Sequence, residues 1–204
     1  MTKLRFALPL ALATAAAACS DDGGTINAEE VINTITLTFT PAGGGTPRVA
    51  VWNDPDGDGG AAPTIDSIGL VAGSTYTTTV RFQNTLETPA EEITDEVRDE
   101  GDEHQVFFTG SAVNGPASNL PAAALTHTYG DQDVGGLPIG LTNTLAVGAG
   151  VGGDLILTLR HLPAVNGVAV KTAAAAMTVR DSGFAALGGE NDAQVTFPVA
   201  IAVP

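Results

Sequence analysis

Apolar and polar residues alternate with a period of two through most of the chain, and this pattern constrains the fold most. In the segment TITLTFT, Ile35, Leu37 and Phe39 occupy one face and threonines occupy the other. Similar segments follow, separated by Gly, Asn, Asp and Pro: RVAVW, TYTTTVRF, HQVFF, LTHTY, IGLTNTLAVG, DLILTLRHL and AQVTFPVAIAV. Short alternating strands at this spacing predict an all-β fold, an antiparallel β-sandwich of the Ig-like or a related Greek-key type.

One segment departs from the alternation and predicts a single short acidic helix. Thr88 fits an N-cap, Pro89 fits the first helical turn, and Glu91 fits a capping-box glutamate. Ile93 and Val97 lie four residues apart and form a narrow apolar stripe. We therefore expect this helix to lie across one end of the sandwich with its acidic residues facing water. A later segment, VKTAAAAMTV, fits either a short helix or an irregular strand.

The first residues resemble the signal peptide of a bacterial lipoprotein. Lys3 and Arg5 precede FALPLALATAAAA, an apolar run of signal-peptide length that is too short to span a bilayer as an anchor. The small residues before Cys19, the only cysteine, resemble a lipobox, although Ala16 stands where leucine is usual. We expect residues 1–18 to be removed and Cys19 to carry lipid. The alternative is an ordinary secretory signal that leaves a free thiol, a liability in an oxidising compartment.

The residues that follow predict where the protein is located. Residues 19–30, CSDDGGTINAEE, read as an acidic flexible tether. Their acidic start resembles the signal by which some Gram-negative bacteria send lipoproteins to the cell surface, whereas in other bacteria an early aspartate causes retention in the inner membrane. We expect an outer-membrane lipoprotein that faces outward. Residues 31–204 are long enough to form a single β-sandwich domain with a sizeable core.

The charge balance narrows the classes of partner. Without Lys3 and Arg5, 6 of the 8 basic residues remain against 23 acidic residues, a net charge of about −17. A nucleic-acid partner is excluded on this balance because phosphates require a basic surface. The same balance is compatible with cations as partners, with a saline habitat, or with solubility alone.

Two histidines at strand ends predict a site for zinc, iron or copper. His104 begins the strand HQVFF on its apolar side, and His161 closes LILTLRH in line with the leucines. Neighbouring antiparallel strands would bring both rings to one end of the sandwich, beside Glu100 and Glu103. The alternative for each is a rim histidine that bonds a backbone carbonyl. His127 is a weaker third candidate.

The segment NDPDGDGG resembles the start of a calcium-binding loop. Asp54, Asp56 and Asp58, followed by Gly59, match the start of the calcium-binding pattern D-x-D-x-D-G. An EF-hand is excluded because Ile65 stands where that loop needs a bidentate glutamate. A free-standing calcium loop at a strand end therefore remains, as does the alternative of a hydrophilic hairpin loop rich in turn-forming residues.

Motifs for catalysis are missing from the sequence. It contains no G-x-S-x-G elbow, no H-E-x-x-H zinc motif, no phosphate-binding loop and no dinucleotide fingerprint. Many acidic residues are present, but their mere availability does not identify a hydrolase. The sequence therefore predicts a protein that is not an enzyme.

Several segments together resemble a family of small bacterial surface lipoproteins: CSDD, LTFTPAGGGTP, VWNDPDGDGGAAP, PAEEITDEVRDEGDEHQVFF, GLPIGL, LTLRHLP and DAQVTFPVAI. The resemblance covers nearly the whole mature chain. Members are often labelled as type 1 periplasmic binding fold superfamily proteins, although that fold needs a much longer chain of alternating strands and helices. The resemblance implies a gene next to a TonB-dependent outer-membrane receptor and a role in capturing a scarce nutrient.

Two functions are compatible with these patterns. The first is a non-catalytic binding module that captures a metal ion or metal complex for a TonB-dependent transporter. The alternative is a structural or adhesive Ig-like surface domain with at most a stabilising calcium ion. The convergence of the two strand-end histidines distinguishes the first from the second.

Overall fold

A computed structural model describes residues 31–57 and 60–204. The strands are β1 (Thr34–Pro41), β2 (Arg48–Asn53), β3 (Thr64–Ile65), β4 (Ile68–Val71), β5 (Thr75–Asn84), β6 (Glu91–Glu92), β7 (His104–Thr109), β8 (Val113–Asn114), β9 (Leu125–Tyr129), β10 (Thr142–Val147), β11 (Gly153–His161) and β12 (Glu190–Ala202). The helices are α1 (Ile93–Asp99) and α2 (Ala175–Ser182), followed by a 3-10 turn, Phe184–Ala186. Over the described ranges, no helix is long and apolar enough to cross a bilayer. The predicted signal peptide, Cys19 and the acidic tether lie outside the described residues.

The strands form two sheets, and the all-β prediction is confirmed. Within the described ranges, one sheet has the order β3-β2-β1-β5-β10-β9-β8, with β6 attached to β5, and the other has the order β4-β12-β11-β7. Pairing is antiparallel except for β12 with β4 and β8 with β9, which are parallel. These two pairs, each of which includes a strand at a sheet edge, depart from the predicted antiparallel arrangement.

One apolar core joins the two sheets. In β1, Ile35, Leu37 and Phe39 are at most 1% exposed, so the alternation predicts the buried face correctly. Leu155 and Leu157 of β11 belong to the same cluster from the opposite sheet. Each such side chain contributes about 1.5–3 kcal/mol when it leaves water. Burial of one face per strand therefore fixes which residues point inward.

The outer face of the four-stranded sheet carries a second, smaller apolar cluster. Phe107 of β7 packs there with Ala175, Ala176 and Val179 of α2. The segment VKTAAAAMTV thus contributes the first part of a helix whose small residues lie close to the sheet. Because α2 covers this outer face, β7 is buried on both sides.

Helix α1 begins later than the sequence predicts. The peptide bond of Thr88–Pro89 is cis, and Glu91–Glu92 pairs with the end of β5 instead of opening a helix. The side chain of Glu92, the N-cap residue of α1, makes no capping hydrogen bond, and the helix begins only at Ile93. The predicted cap, first-turn proline and capping-box glutamate are therefore wrong. The apolar stripe is confirmed, because Ile93 and Val97 are 2% and 0% exposed within the main core. The helix thus leads from the first sheet into β7 of the second.

Candidate metal centre

The two strand-end histidines lie side by side. His104 of β7 and His161 of β11 are direct cross-strand partners. Their ring centroids are 4.6 Å apart and their planes differ by 5°, so the imidazoles are stacked. The His104 side chain is 1% exposed and that of His161 is 21% exposed. The strand pattern correctly predicts this juxtaposition; metal binding itself remains a prediction.

Local structure fixes the paired ends of β7 and β11. Helix α1 ends at Asp99, Glu100 follows as its C-cap, and a short turn leads directly into His104. The backbone N–H of Leu162 donates to the carbonyl oxygen of Glu103 at 2.6 Å, which ties this turn to the end of β11. The two histidines are thus held between the helix end and the sheet.

Three carboxylates surround the imidazoles. The Oε2 atom of Glu100 is 3.9 Å from Nδ1 of His104, and Oε2 of Glu103 is 3.7 Å from Nε2 of His161. Oδ2 of Asp192 is 3.6 Å from Nε2 of His104. Glu100, His104 and His161 form a group in which one potential ligand atom per residue lies within 4.8 Å of the others. Zinc and iron both bind imidazole nitrogen and carboxylate oxygen, so two imidazoles and three carboxylates offer enough ligands for either metal.

Burial keeps the His104 ring neutral. Desolvation lowers the pKa of His104 to about 4, and the neighbouring His161 ring and Lys171 ammonium act in the same direction. The hydrogen bond to the carbonyl of Glu100 and the charge of Glu103 oppose this effect without reversing it. A neutral imidazole is the form that binds metal ions, so the ring needs no deprotonation at neutral pH.

A buried lysine anchors the end of α1. Nζ of Lys171 donates to Oδ2 of Asp133 at 2.7 Å and to the carbonyl oxygen of Gly101, next to Glu100. Burial lowers the pKa of Lys171, and its bonds to Asp133 oppose the shift. Burial alone would raise the pKa of Asp133, but the hydrogen bonds from Lys171 and from the N–H of Leu137 hold it below its usual value. This ion pair joins three chain segments beside the histidines.

Asp192 is the site residue that the sequence does not reveal. Leu159 pairs with Ala193 and Arg160 pairs with Asn191, so Asp192 is an extra residue in β12 where the register shifts. Such a bulge bends the strand and re-aims a side chain. The predicted strand AQVTFPVAIAV begins at Ala193 and leaves Asp192 just outside. The only sequence signal for Asp192 is that it belongs to the polar residues before that strand.

His127 is not part of the cluster. Its Nε2 lies 2.9 Å from Oδ1 of Asn143, whose amide nitrogen donates to Gly140, so Nε2 carries the hydrogen and donates. The ring stacks on Phe108 at a centroid distance of 4.6 Å. Burial lowers the pKa of His127 to about 4, although the bond to Asn143 acts in the opposite direction. This third candidate is a neutral histidine of the core.

The aspartates of the predicted calcium loop serve as turn acceptors where they are described. Oδ1 of Asp54 accepts from the N–H of Asp56 at 3.4 Å, and Oδ2 of Asp56 accepts from the N–H of Ala61 at 3.0 Å. Both contacts are those of a loop rich in turn-forming residues. Asp58 lies outside the described residues, and calcium binding by this loop stays a prediction.

The described residues thus place two imidazoles and three carboxylates together at the paired ends of β7 and β11. The carboxylates come from the segment after α1 and from the bulge in β12, which are far apart in sequence. Comparisons of this chain with protein-family models, with curated proteins and with solved structures find no match.

Proposed function

We propose that the protein is a non-catalytic binding module that captures a metal ion, free or as part of a complex, at the paired ends of β7 and β11. The observation that carries the proposal is the cross-strand pair of His104 and His161, stacked within reach of Glu100 and Glu103. Polar rings at core-facing strand positions cost free energy unless an interaction compensates them. Binding of a cation by both rings and the adjacent carboxylates supplies that compensation.

The donor set favours borderline divalent metals. Imidazole nitrogen and carboxylate oxygen suit zinc, iron(II) and copper(II), whereas copper(I) prefers the sulfur of Cys or Met. Parallel rings direct their lone pairs along parallel lines, so a shared ion requires at least one of the two imidazoles to tilt out of the stack. The excess of acidic over basic residues favours the approach of cations to the surface.

We also propose that lipid on Cys19 attaches this module to the outer membrane, facing outward, and that the captured metal passes to a TonB-dependent receptor. The support is the signal-peptide-like start, the CSDD segment and the acidic tether at residues 19–30.

For the fold, we propose a Greek-key β-sandwich, one of the two types that the sequence predicts. The strand order β3-β2-β1-β5, with antiparallel pairing throughout, supports this description. In a Greek key, three consecutive strands are followed by a fourth that returns beside the first. Here β5 returns beside β1 after β4 has joined the other sheet.

The three histidines of the chain provide a matched experiment. Zinc affinity is measured by calorimetry on purified protein, and bound metal is measured by elemental analysis directly after purification. His104→Gln and His161→Gln should each weaken zinc binding at least tenfold, because each removes an imidazole ligand. His127→Gln is the control and should leave the affinity unchanged, because His127 lies outside the cluster.

Two results would contradict the proposal. One is wild-type protein that retains no stoichiometric zinc, iron or copper and binds none at micromolar exposure. The other is a His127→Gln variant that loses as much affinity as the two cluster variants, since that would indicate a general effect on folding.

A further inference from the structure

The two ring nitrogens of His104 have different roles. Nδ1 lies 3.2 Å from the carbonyl oxygen of Glu100. Because a carbonyl oxygen only accepts, Nδ1 carries the hydrogen, and the lone pair of the neutral ring is on Nε2. Metal-binding histidines commonly donate their second ring N–H to a backbone carbonyl, which fixes the tautomer. Nε2 is therefore the atom of His104 that can bind an ion.

The carboxylate that faces this nitrogen belongs to Asp192 and not to Glu100. Oδ2 of Asp192 is 3.6 Å from Nε2 of His104, whereas Oε2 of Glu100 is 3.9 Å from the protonated Nδ1. The Asp192 side chain is 18% exposed and that of Glu100 is 48% exposed, so Asp192 is also the more enclosed carboxylate. The bulge in β12 is what turns Asp192 toward the histidines.

The same relation recurs at the second imidazole. Nε2 of His161 is 3.7 Å from Oε2 of Glu103 and, although buried, has no hydrogen-bond partner. Two ligands at the usual zinc distances of about 2.0–2.1 Å on a tetrahedral ion lie about 3.3 Å apart. Both nitrogen–oxygen separations are therefore within about 0.4 Å of the value that a tetrahedral ion requires. A single ion shared by both pairs also requires one of the two stacked rings to tilt toward the other.

We propose, resting on the metal capture proposed above, that Asp192 and Glu103 complete the ligand set of His104 and His161, and that the bound species is a single divalent ion of the zinc class. Glu100 then acts through its backbone carbonyl as a positioning residue. Two carboxylates balance the charge of a divalent ion. The occupied site therefore adds no net positive charge beside the buried ammonium of Lys171. The enclosed position of His104 favours a bare ion over a bulky metal complex.

Isosteric variants of the carboxylates test this assignment. Zinc titration of the purified protein should show at least a tenfold loss of affinity for Asp192→Asn, and a smaller loss for Glu100→Gln. Glu96→Gln removes an exposed acid of α1 outside the cluster and should leave the affinity unchanged. Equal affinity of Asp192→Asn and wild type, or a larger loss for Glu100→Gln, would overturn the inference while leaving metal capture intact. Wild-type protein that binds no zinc would overturn both proposals.

A measurement on the unaltered protein keeps the test decisive if Asp192→Asn fails to fold. Histidine ring nitrogen spectra, recorded by NMR before and after addition of zinc sulfate, distinguish the metal-bound nitrogen from the protonated one. We expect zinc to shift Nε2 of His104, while Nδ1 keeps its hydrogen. Binding through Nδ1 would overturn the inference, because that atom faces Glu100 and not Asp192.

Discussion

Acidification should destabilise the protein through His127, and the size of the effect follows from the burial of this residue. The ring is 1% exposed, and burial lowers its pKa from 6.5 to about 4. Below about pH 6.5 the unfolded chain therefore binds a proton that the folded chain does not bind. The free energy of unfolding consequently decreases as the pH decreases. Between about pH 7.5 and 4.5, His127 alone should lower it by about 2.5 kcal/mol.

His127→Gln isolates this contribution. Glutamine does not titrate and offers an N–H to Asn143, but it loses the stacking on Phe108, so the variant should be about 1–2 kcal/mol less stable near neutral pH. As the pH falls to about 4.5, the free energy of unfolding of wild type decreases by about 2.5 kcal/mol that the variant does not lose. The order of stability should therefore reverse. The contribution of His104, which has the same sign, is common to both proteins and cancels in the difference.

Urea denaturation at a series of pH values, with a chelator present to remove metal ions, measures both curves. The neighbouring Tyr129 does not complicate the comparison, because burial raises its pKa and keeps it neutral throughout this range. If the stability curves of wild type and His127→Gln run parallel from about pH 7.5 to 4.5, His127 is not a buried neutral base. The separation of the three histidines into a cluster pair and a core residue would then be wrong.

Two further substitutions test the packing and the ion pair beside the metal centre, again by urea denaturation. Gly101→Ala would place Cβ 2.7 Å from Cδ1 of Ile139 and should cost about 1–3 kcal/mol, whereas Gly43→Ala, with no atom within 4 Å, should change stability by less than about 0.5 kcal/mol. Equal effects at the two glycines would contradict the close approach at Gly101. Lys171→Met removes the charge partner of Asp133 in a buried pair and should cost about 3–5 kcal/mol, part of which Asp133→Asn should restore in the double variant. A loss below about 1 kcal/mol for Lys171→Met would indicate that the pair is not buried in solution.

Features that depend on the period of a single strand are predictable from the sequence. Ile35, Leu37 and Phe39 point inward because one face of β1 is buried, and a shift by one residue would expose all three. The meeting of His104 and His161 follows from the same logic, since one residue opens its strand and the other closes its strand in an antiparallel pair.

Features that depend on contacts between distant segments are not predictable in this way. Glu91–Glu92 carries local signals for a helix start, but pairing with β5 satisfies its backbone groups and delays the helix. Lys171 and Asp133 lie 38 residues apart, and neither sequence neighbourhood indicates an ion pair. Asp192 reaches the site because a bulge breaks the register of β12, and bulge positions have no period of their own.

The core-facing residues at the ends of β7 and β11 show where folding and binding favour different side chains. In β7 the buried row ends with Val106 and then His104, and in β11 it ends with Leu159 and then His161. An aliphatic residue at either last position would continue the row and gain about 1.5–3 kcal/mol from burial. The lowered pKa of His104 reflects the same conflict, because burial excludes the charged ring and leaves a neutral ligand. Departures from local folding preference concentrate at functional sites. Here they fall on the two positions that the proposed ion would bind, opposite carboxylates from separate segments.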